Sequence, residues 1–461
     1  MKGIIHLKPS VSSALAAVMF FAVFIAQQAM ANTANPMHAT LDSYLTSLSD
    51  NDKMMTAVYV TLNGTPVYEH YSGLASVEDN VPLSAQTRFR IGSITKTFTA
   101  VLVMQLIEEG KLKLETRLST FFPEVPNAAD ITIQHLLSHR SGIFNYTNAP
   151  EYTGYMTTAQ TQQQLVQRIQ AYTPQFKPGS KHHYSNSNYA LLGFIVESLY
   201  EKPLAHVIAE KIAKPLKLND TYFGNSIEVA ENEASSYRYN STWVKQPETD
   251  MSVPHGAGAI VSTAKDTNHF FNALFAGKLI SKRSLKAMMK LEDGYGLGMT
   301  AAPFNEKQLY GHFGSIDGFV SAAGYNTKDG LNMTVLSNAV NYNFNNVLIA
   351  VLSSMYGLPF DVPDFSAKAI EVDEASLHAF EGKFASKQLQ IKISFWVEDG
   401  KLMSQGEGQN PFPLEAYSET EFRFELAGIV IKFEKPDGTS GQSSAFTLHQ
   451  GGGTFAFSRV K

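Results

Sequence analysis

Ser93 and Lys96 stand one helical turn apart at the head of "GSITKTFTAVLVMQLIEEG". Val101, Leu102, Val103, Met104, Leu106 and Ile107 fill the body of this segment, which reads as a buried helix. A lysine beside such a helix costs free energy unless a partner or a chemical task holds it there. Two readings follow. Ser93 caps the helix while Lys96 snorkels to solvent, or the two form a nucleophile and its base on one helix face. The same spacing recurs at Ser262 and Lys265, where Thr263 and Asp266 approximate a capping box and Phe270, Phe271 and Leu274 form an amphipathic stripe. That second copy reads as structural.

A hydroxyl nucleophile paired with lysine needs a third proton carrier and a preorganised oxyanion site. Two Tyr-x-Asn triplets offer one, Tyr146-Thr147-Asn148 and Tyr184-Ser185-Asn186. The second is favoured, because a Pro-Gly turn in "FKPGSKHHYSNSNYALLGFIVESLY" leads from it into a strongly apolar helix. "LYGHFGSIDGF" places His312, Phe313, Gly314 and Ser315 on a strand. His135 and His139 are four apart, but Leu136 follows the first where a zinc hydrolase needs glutamate, so both read as structural. His182 and His183 read as exposed turn residues. The chain contains no Gly-x-Ser-x-Gly elbow.

These residues need elements to hold them. "MMTAVYVTLNGTPVYEHYSG" predicts two strands around Asn63-Gly64. Helix and loop dominate from Ser93 to about Ser284, and strands return in "GFVSAAGYN" and "LNMTVLSNA" before a helix in "NYNFNNVLIAVLSSMYG". The simplest α+β arrangement is one antiparallel sheet built from both ends of the domain, flanked by helices, with a largely helical insertion. Residues 361–376 read as a linker. Residues 377–461 alternate as strands and predict a small antiparallel β-barrel, with Trp396 and its aromatic neighbours in its core.

Zero cysteines exclude disulfides and thiolate metal sites. Lys2, Lys8, an apolar run from Ala14 to Ala26 and Ala29-Met30-Ala31 predict a cleaved signal peptide over residues 1–31. Its loss leaves 35 basic residues against 42 acidic ones. That mild acidity and the lack of a basic run exclude nucleic acid as the main partner. The remainder reads as a soluble exported protein without a membrane span, most simply periplasmic, its oligomeric state open.

The combination of Ser-x-x-Lys, Tyr-x-Asn and His-x-Gly, in that order, resembles the serine β-lactamase-like hydrolases. That family includes class C β-lactamases, D-alanyl-D-alanine carboxypeptidases, D-aminopeptidases and esterases. The resemblance covers residues 38 to 355 and includes "IGSITKTFTA", "KPGSKHHYSNSNYALLGFIVE", "GAGAIVSTAKD" and "GHFGSIDGF". It implies a hydrolase domain over 38–360 and a lipocalin-like barrel over 377–461. It further implies an acyl-enzyme on Ser93, with proton transfer shared by Lys96 and Tyr184 and the choice of base open. Asn186 holds Lys96 and the substrate amide in such relatives. The resemblance also implies that the backbone amides of Ser93 and Ser315 form the oxyanion hole and that Gly314 lets the strand approach the substrate. No metal or organic cofactor is implied, and the substrate is a small molecule or peptide. His312-Phe313-Gly314 departs from the commoner Lys-Thr-Gly. An unperturbed imidazole is mostly neutral at pH 7 and gains its proton below about pH 6.5. The expectation is therefore D-residue peptides or small esters as substrates, with poor β-lactam binding that improves at low pH; the alternatives are a dedicated class C-like β-lactamase and a catalytically silent protein that holds a cell-wall fragment.

Overall fold

The computed structural model describes residues 36–365, 367–436, 438, 441–450 and 453–460. The expected signal peptide lies outside them. Helix α1 (Pro36–Asp50) leads into β1 (Met54–Leu62) and β2 (Thr65–Ser72). Asn63 and Gly64 join the strands with φ of 51° and 79°, the paired left-handed conformation of a tight hairpin. Helices α2 (Thr95–Glu108), α3 (Asn186–Tyr200) and α4 (Ala264–Phe275) follow, linked by long connections that carry shorter helices and strands. Strands β3 (Thr300–Phe304), β4 (Lys307–Ile316), β5 (Phe319–Asn326) and β6 (Leu331–Val340) precede α5 (Phe344–Met355).

The sheet order is β3-β4-β5-β6-β1-β2, antiparallel throughout this path, so the two ends of the domain meet at its centre. Strand β1 is buried along almost its whole length because both of its faces are covered. Met55, Ala57 and Tyr59 pack with α2, α3 and α4, whereas Met54, Val58 and Val60 pack with α1 and α5. The two-residue period of a strand feeds two separate cores.

The C-terminal strands close into an eight-stranded antiparallel barrel. They are β7 (Gly382–Ala385), β8 (Lys392–Glu398), β9 (Lys401–Gly406), β10 (Phe412–Ala416), β11 (Glu421–Phe424), β12 (Ile429–Phe433), β13 (Ala445–Gln450) and β14 (Gly453–Arg459). Phe384, Phe395, Phe422, Phe433, Phe446 and Phe457 fill the interior. Trp396 departs from the expectation. Alternation along β8 turns Phe395 inward and Trp396 outward, where its Nε1 donates to Glu398 at 3.0 Å. The barrel meets the larger, N-terminal half at the start of α5, where Gly428 abuts Asn343 and Asn346, and through an ion pair between Lys53 and Glu425. That side of the sheet faces away from the helices α2 and α3. No described helix is long and apolar enough to cross a membrane.

Candidate active site

Ser93 sits in a single 3₁₀ turn, Gly92–Ile94, that feeds α2. The Ser93 side chain does not cap the helix, and Lys96 is 0% exposed, so the cap-and-snorkel reading fails. The Lys96 Nζ lies 3.0 Å from Ser93 Oγ, 2.7 Å from Asn186 Oδ1 and 2.8 Å from the Ala257 carbonyl. Burial pushes the amine well below the ordinary lysine range. A neutral amine has two N–H groups and one lone pair. In that form the amide oxygen and the carbonyl would take the two protons, which would leave the lone pair for the Ser93 hydroxyl.

The Tyr184 hydroxyl donates to Ser93 Oγ at 2.8 Å. Burial raises its pKa, with the serine contact opposing weakly, so the phenol keeps its proton and stays a donor. Beneath it lies His139, fully buried with φ of 56°, its ring centroid 4.3 Å from that of Tyr184. The His139 Nδ1 accepts from the Ser185 backbone N–H at 3.1 Å, which ties the tyrosine loop down. His135 is instead the partner of Thr132 in a capping box, and its helix ends at Leu137, so the two histidines share no ligand face. Among the described residues no cluster of acids and histidines could hold a metal. His182 also differs from expectation. It is partly buried, with its ring 5.6 Å from that of Tyr295, whereas His183 is exposed.

Asn186 opens α3 and is fixed from three sides. Its Oδ1 accepts from Lys96, its Nδ2 donates to Thr147 Oγ1 at 3.0 Å, and its backbone N–H donates to Asn145 Oδ1 at 2.9 Å. The first Tyr-x-Asn triplet thus contributes the Thr147 hydroxyl to Asn186, while Tyr146 lines the cleft with its own hydroxyl turned elsewhere. Tyr146 is fully buried, and its hydroxyl donates to the Val253 carbonyl at 2.5 Å.

His312 is held by the Tyr295 hydroxyl at 2.8 Å from Nε2 and by the Phe313 carbonyl at 2.5 Å from Nδ1. Burial first, and then the nearby Lys96, lower its pKa to about 3. The imidazole therefore stays neutral far below pH 6.5, which overturns the expectation that it gains a proton there. A Cβ at Gly314 would fall 2.2 Å from the Ile91 carbonyl, so this glycine brings β4 against the serine segment. Gly92 completes the approach from the other side, since its Cβ would lie 2.8 Å from the Ser315 nitrogen and its φ is 51°. Ser93 and Ser315 consequently line one cleft of about 440 Å³, with Asn186 and Ala257.

Sequence reasoning missed a buried ion pair that joins these two segments. Arg90, three residues before Ser93, meets Asp317, two after Ser315, at 2.9 Å, with side chains 2% and 1% exposed. The guanidinium also donates to the carbonyls of Thr249 and Asn225, and Asp317 accepts from the Thr249 hydroxyl at 2.6 Å. An arginine between apolar strand residues, its partner far along the chain, leaves no local signal.

The second Ser-x-x-Lys copy does not enter the cleft. Ser262 Oγ lies 2.9 Å from Thr221 Oγ1, Thr263 caps α4 by accepting from the Asp266 N–H at 3.1 Å, and Lys265 is exposed.

A profile of the Beta-lactamase family matches residues 47–352. Penicillin-binding protein 4* of Bacillus subtilis (strain 168) is 26% identical over 446 residues, covering 89% of this chain and 96% of that one. The teichoic acid D-alanine hydrolase of Staphylococcus aureus (strain NCTC 8325 / PS 47) is 28% identical over 293 residues, 62% of this chain and 71% of that one. A further Bacillus subtilis penicillin-binding protein, 30% identical over 263 residues, is spanned for only 64% of its length by 56% of this chain. The crystal structure of D-amino acid amidase from Ochrobactrum anthropi SV3 with L-phenylalanine superposes with a TM-score of 0.62 at 26% identity, over 70% of this chain and 99% of that one.

Proposed function

This chain belongs to the Beta-lactamase family and is a serine hydrolase, and we propose that it cleaves peptides with D-residues or small esters through an acyl-enzyme on Ser93. The observation that carries this reading is the buried Lys96, whose two other acceptors leave its lone pair to the serine. In the proposed mechanism Ser93 Oγ attacks the carbonyl carbon as its proton passes to Lys96. The carbonyl oxygen gains negative charge between the backbone amides of Ser93 and Ser315, which the Gly92 and Gly314 approaches hold in place. The proton then travels by way of Tyr184 to the leaving nitrogen or oxygen, and the bond to the leaving group breaks. Water then attacks the acyl carbon and its proton passes back along the same path to Ser93 Oγ as the bond between Oγ and the acyl carbon breaks, which releases the acid and restores the serine.

The substrate class is supported on two sides. The relatives' names record D-alanine and D-amino acid chemistry. Neutral His312, with Phe313 beside it, offers neither the cation nor the hydroxyl of a Lys-Thr-Gly strand for a leaving-group carboxylate. We place the enzyme outside the cytoplasm, exported by residues 1–31, with its hydrolase domain over 38–360 and the barrel over 377–461 as a second domain. Fluorophosphonate labelling, with turnover of p-nitrophenyl esters, D-amino-acid amides and nitrocefin, tests the reading. Labelling at Ser93 with ester or amide turnover above nitrocefin turnover is expected. A protein that neither labels nor turns over any of them would sink it.

A further inference from the structure

The proposed acyl transfer employs one end of the cleft and leaves the other unexplained. Strand β4 runs from His312, its ring 6.4 Å from that of Tyr184, to Ser315 and Ile316, which line the cleft with the following Asp317. In the proposed acyl transfer Tyr184 passes its proton to the leaving group, and that reading puts the acyl portion of a substrate on the opposite side of Ser93, toward Asp317. Two charged residues, Arg238 and Asp317, line the cleft among the described residues, together with Gln246 and Thr249. Asp317 is already spent, since Arg90 and Thr249 take its carboxylate in a site 1% exposed. Arg238 is not. Its side chain is exposed and its guanidinium reaches the Asp317 carbonyl at 3.4 Å, while no carboxylate stands within ion-pair distance of it among the described residues.

Arg238 is also anchored where it stands. The preceding Tyr237 is 1% exposed, and its hydroxyl donates to Glu78 at 2.6 Å and accepts from the Val77 N–H at 2.9 Å. A Cβ on Gly318 would lie 2.7 Å from the Tyr237 carbonyl oxygen, so the backbone before Arg238 is clamped to the residue after Asp317. A fixed backbone thus aims a guanidinium with donors to spare at the Asp317 end of the cleft. Resting on the acyl-transfer reading, we infer that Arg238 is a specificity-determining residue that receives a carboxylate carried on the acyl portion of the substrate. A guanidinium meets a carboxylate with two parallel hydrogen bonds, which a neutral or cationic group cannot match.

The test compares p-nitrophenyl esters of adipic acid, hexanoic acid and 6-aminohexanoic acid, which differ only at the distal end of equal chains. The wild type is expected to prefer adipate over hexanoate by about tenfold in kcat/KM, the scale of one charge-assisted contact. It should disfavour the ammonium ester, and added salt should shrink both differences. Arg238→Gln should bring the adipate-to-hexanoate ratio to about one, and Arg238→Glu should favour the ammonium ester. An unchanged ratio in Arg238→Gln, or a wild type without preference, overturns the assignment while leaving Ser93 catalysis intact. Turnover of none of the three esters by the wild type overturns both.

Discussion

Ser93–Lys96 and Ser262–Lys265 occupy the same local frame. Each serine lies two residues before a helix and each lysine is the second residue of that helix, α2 in one case and α4 in the other. Their fates differ because of what the tertiary fold lays over them. The loop around Ala257 and the start of α3 close over Lys96 and supply two acceptors for its protons. Nothing comparable covers Lys265, and Thr263, not Ser262, caps its helix. A lysine becomes a base through what buries it, and the three-residue spacing alone decides nothing.

Removing each hydroxyl should give the widest separation. Ser93→Ala should abolish labelling and cut turnover by about 10⁴-fold or more, while Ser262→Ala keeps both, as steady-state ester kinetics would report. Comparable loss in the Ser262 variant would break the comparison. The two tyrosines form the next contrast. Tyr184→Phe should slow turnover by roughly 10²–10⁴-fold with the fold intact. Tyr146→Phe should leave the chemistry in place and destabilise by about 1–3 kcal/mol, because the Val253 carbonyl loses its buried donor. Urea midpoints set beside kcat would show whether the two effects sort in that way.

A third contrast concerns pH and stability. An unfolded lysine titrates near 10.4, and buried Lys96 titrates well below its ordinary value. Between those two values the unfolded chain holds more protons, so this group makes stability rise with pH up to about 10.4. Lys96→Met should remove that contribution and Lys265→Met should keep it, as urea midpoints at about pH 7.5 and 9.5 would report. Identical pH slopes in the two variants would contradict the burial argument. The smallest effect belongs to His312. Its pKa of about 3 keeps it neutral, so the ratio of β-lactam to neutral-ester acylation should stay flat between about pH 7.5 and 5.5. A rise would mean that the imidazole titrates in that range.

What the sequence disclosed divides along the same line. Ser-x-x-Lys, the second Tyr-x-Asn and the strand from His312 to Ser315 are local patterns, and the structure gathers Ser93, Lys96, Tyr184 and Asn186 into hydrogen-bonding distance. The sheet was legible because period-two runs flank a helical middle. The contributions of Thr147, Asn145, Tyr295 and the Ala257 carbonyl were not, since each depends on a contact between distant segments, and the last is a backbone group that any residue carries. The pKa of His312 likewise depends on burial that its own strand does not announce. Trp396 was misplaced for a simpler reason. The alternation that buries Phe395 already turns its neighbour outward.

The doubly covered strand β1 has a thermodynamic consequence. Met54, Val58 and Val60 belong to one core and Met55, Ala57 and Tyr59 to the other. Peeling either helical layer from the sheet strips one face of β1 and weakens the backbone on which the opposite layer rests. The two layers therefore melt as one cooperative unit. The phenylalanine core of the barrel shares no residue with either cluster. Heat capacity traces should accordingly resolve a transition for the barrel apart from that of the catalytic half, with Lys53–Glu425 among the few contacts able to merge them.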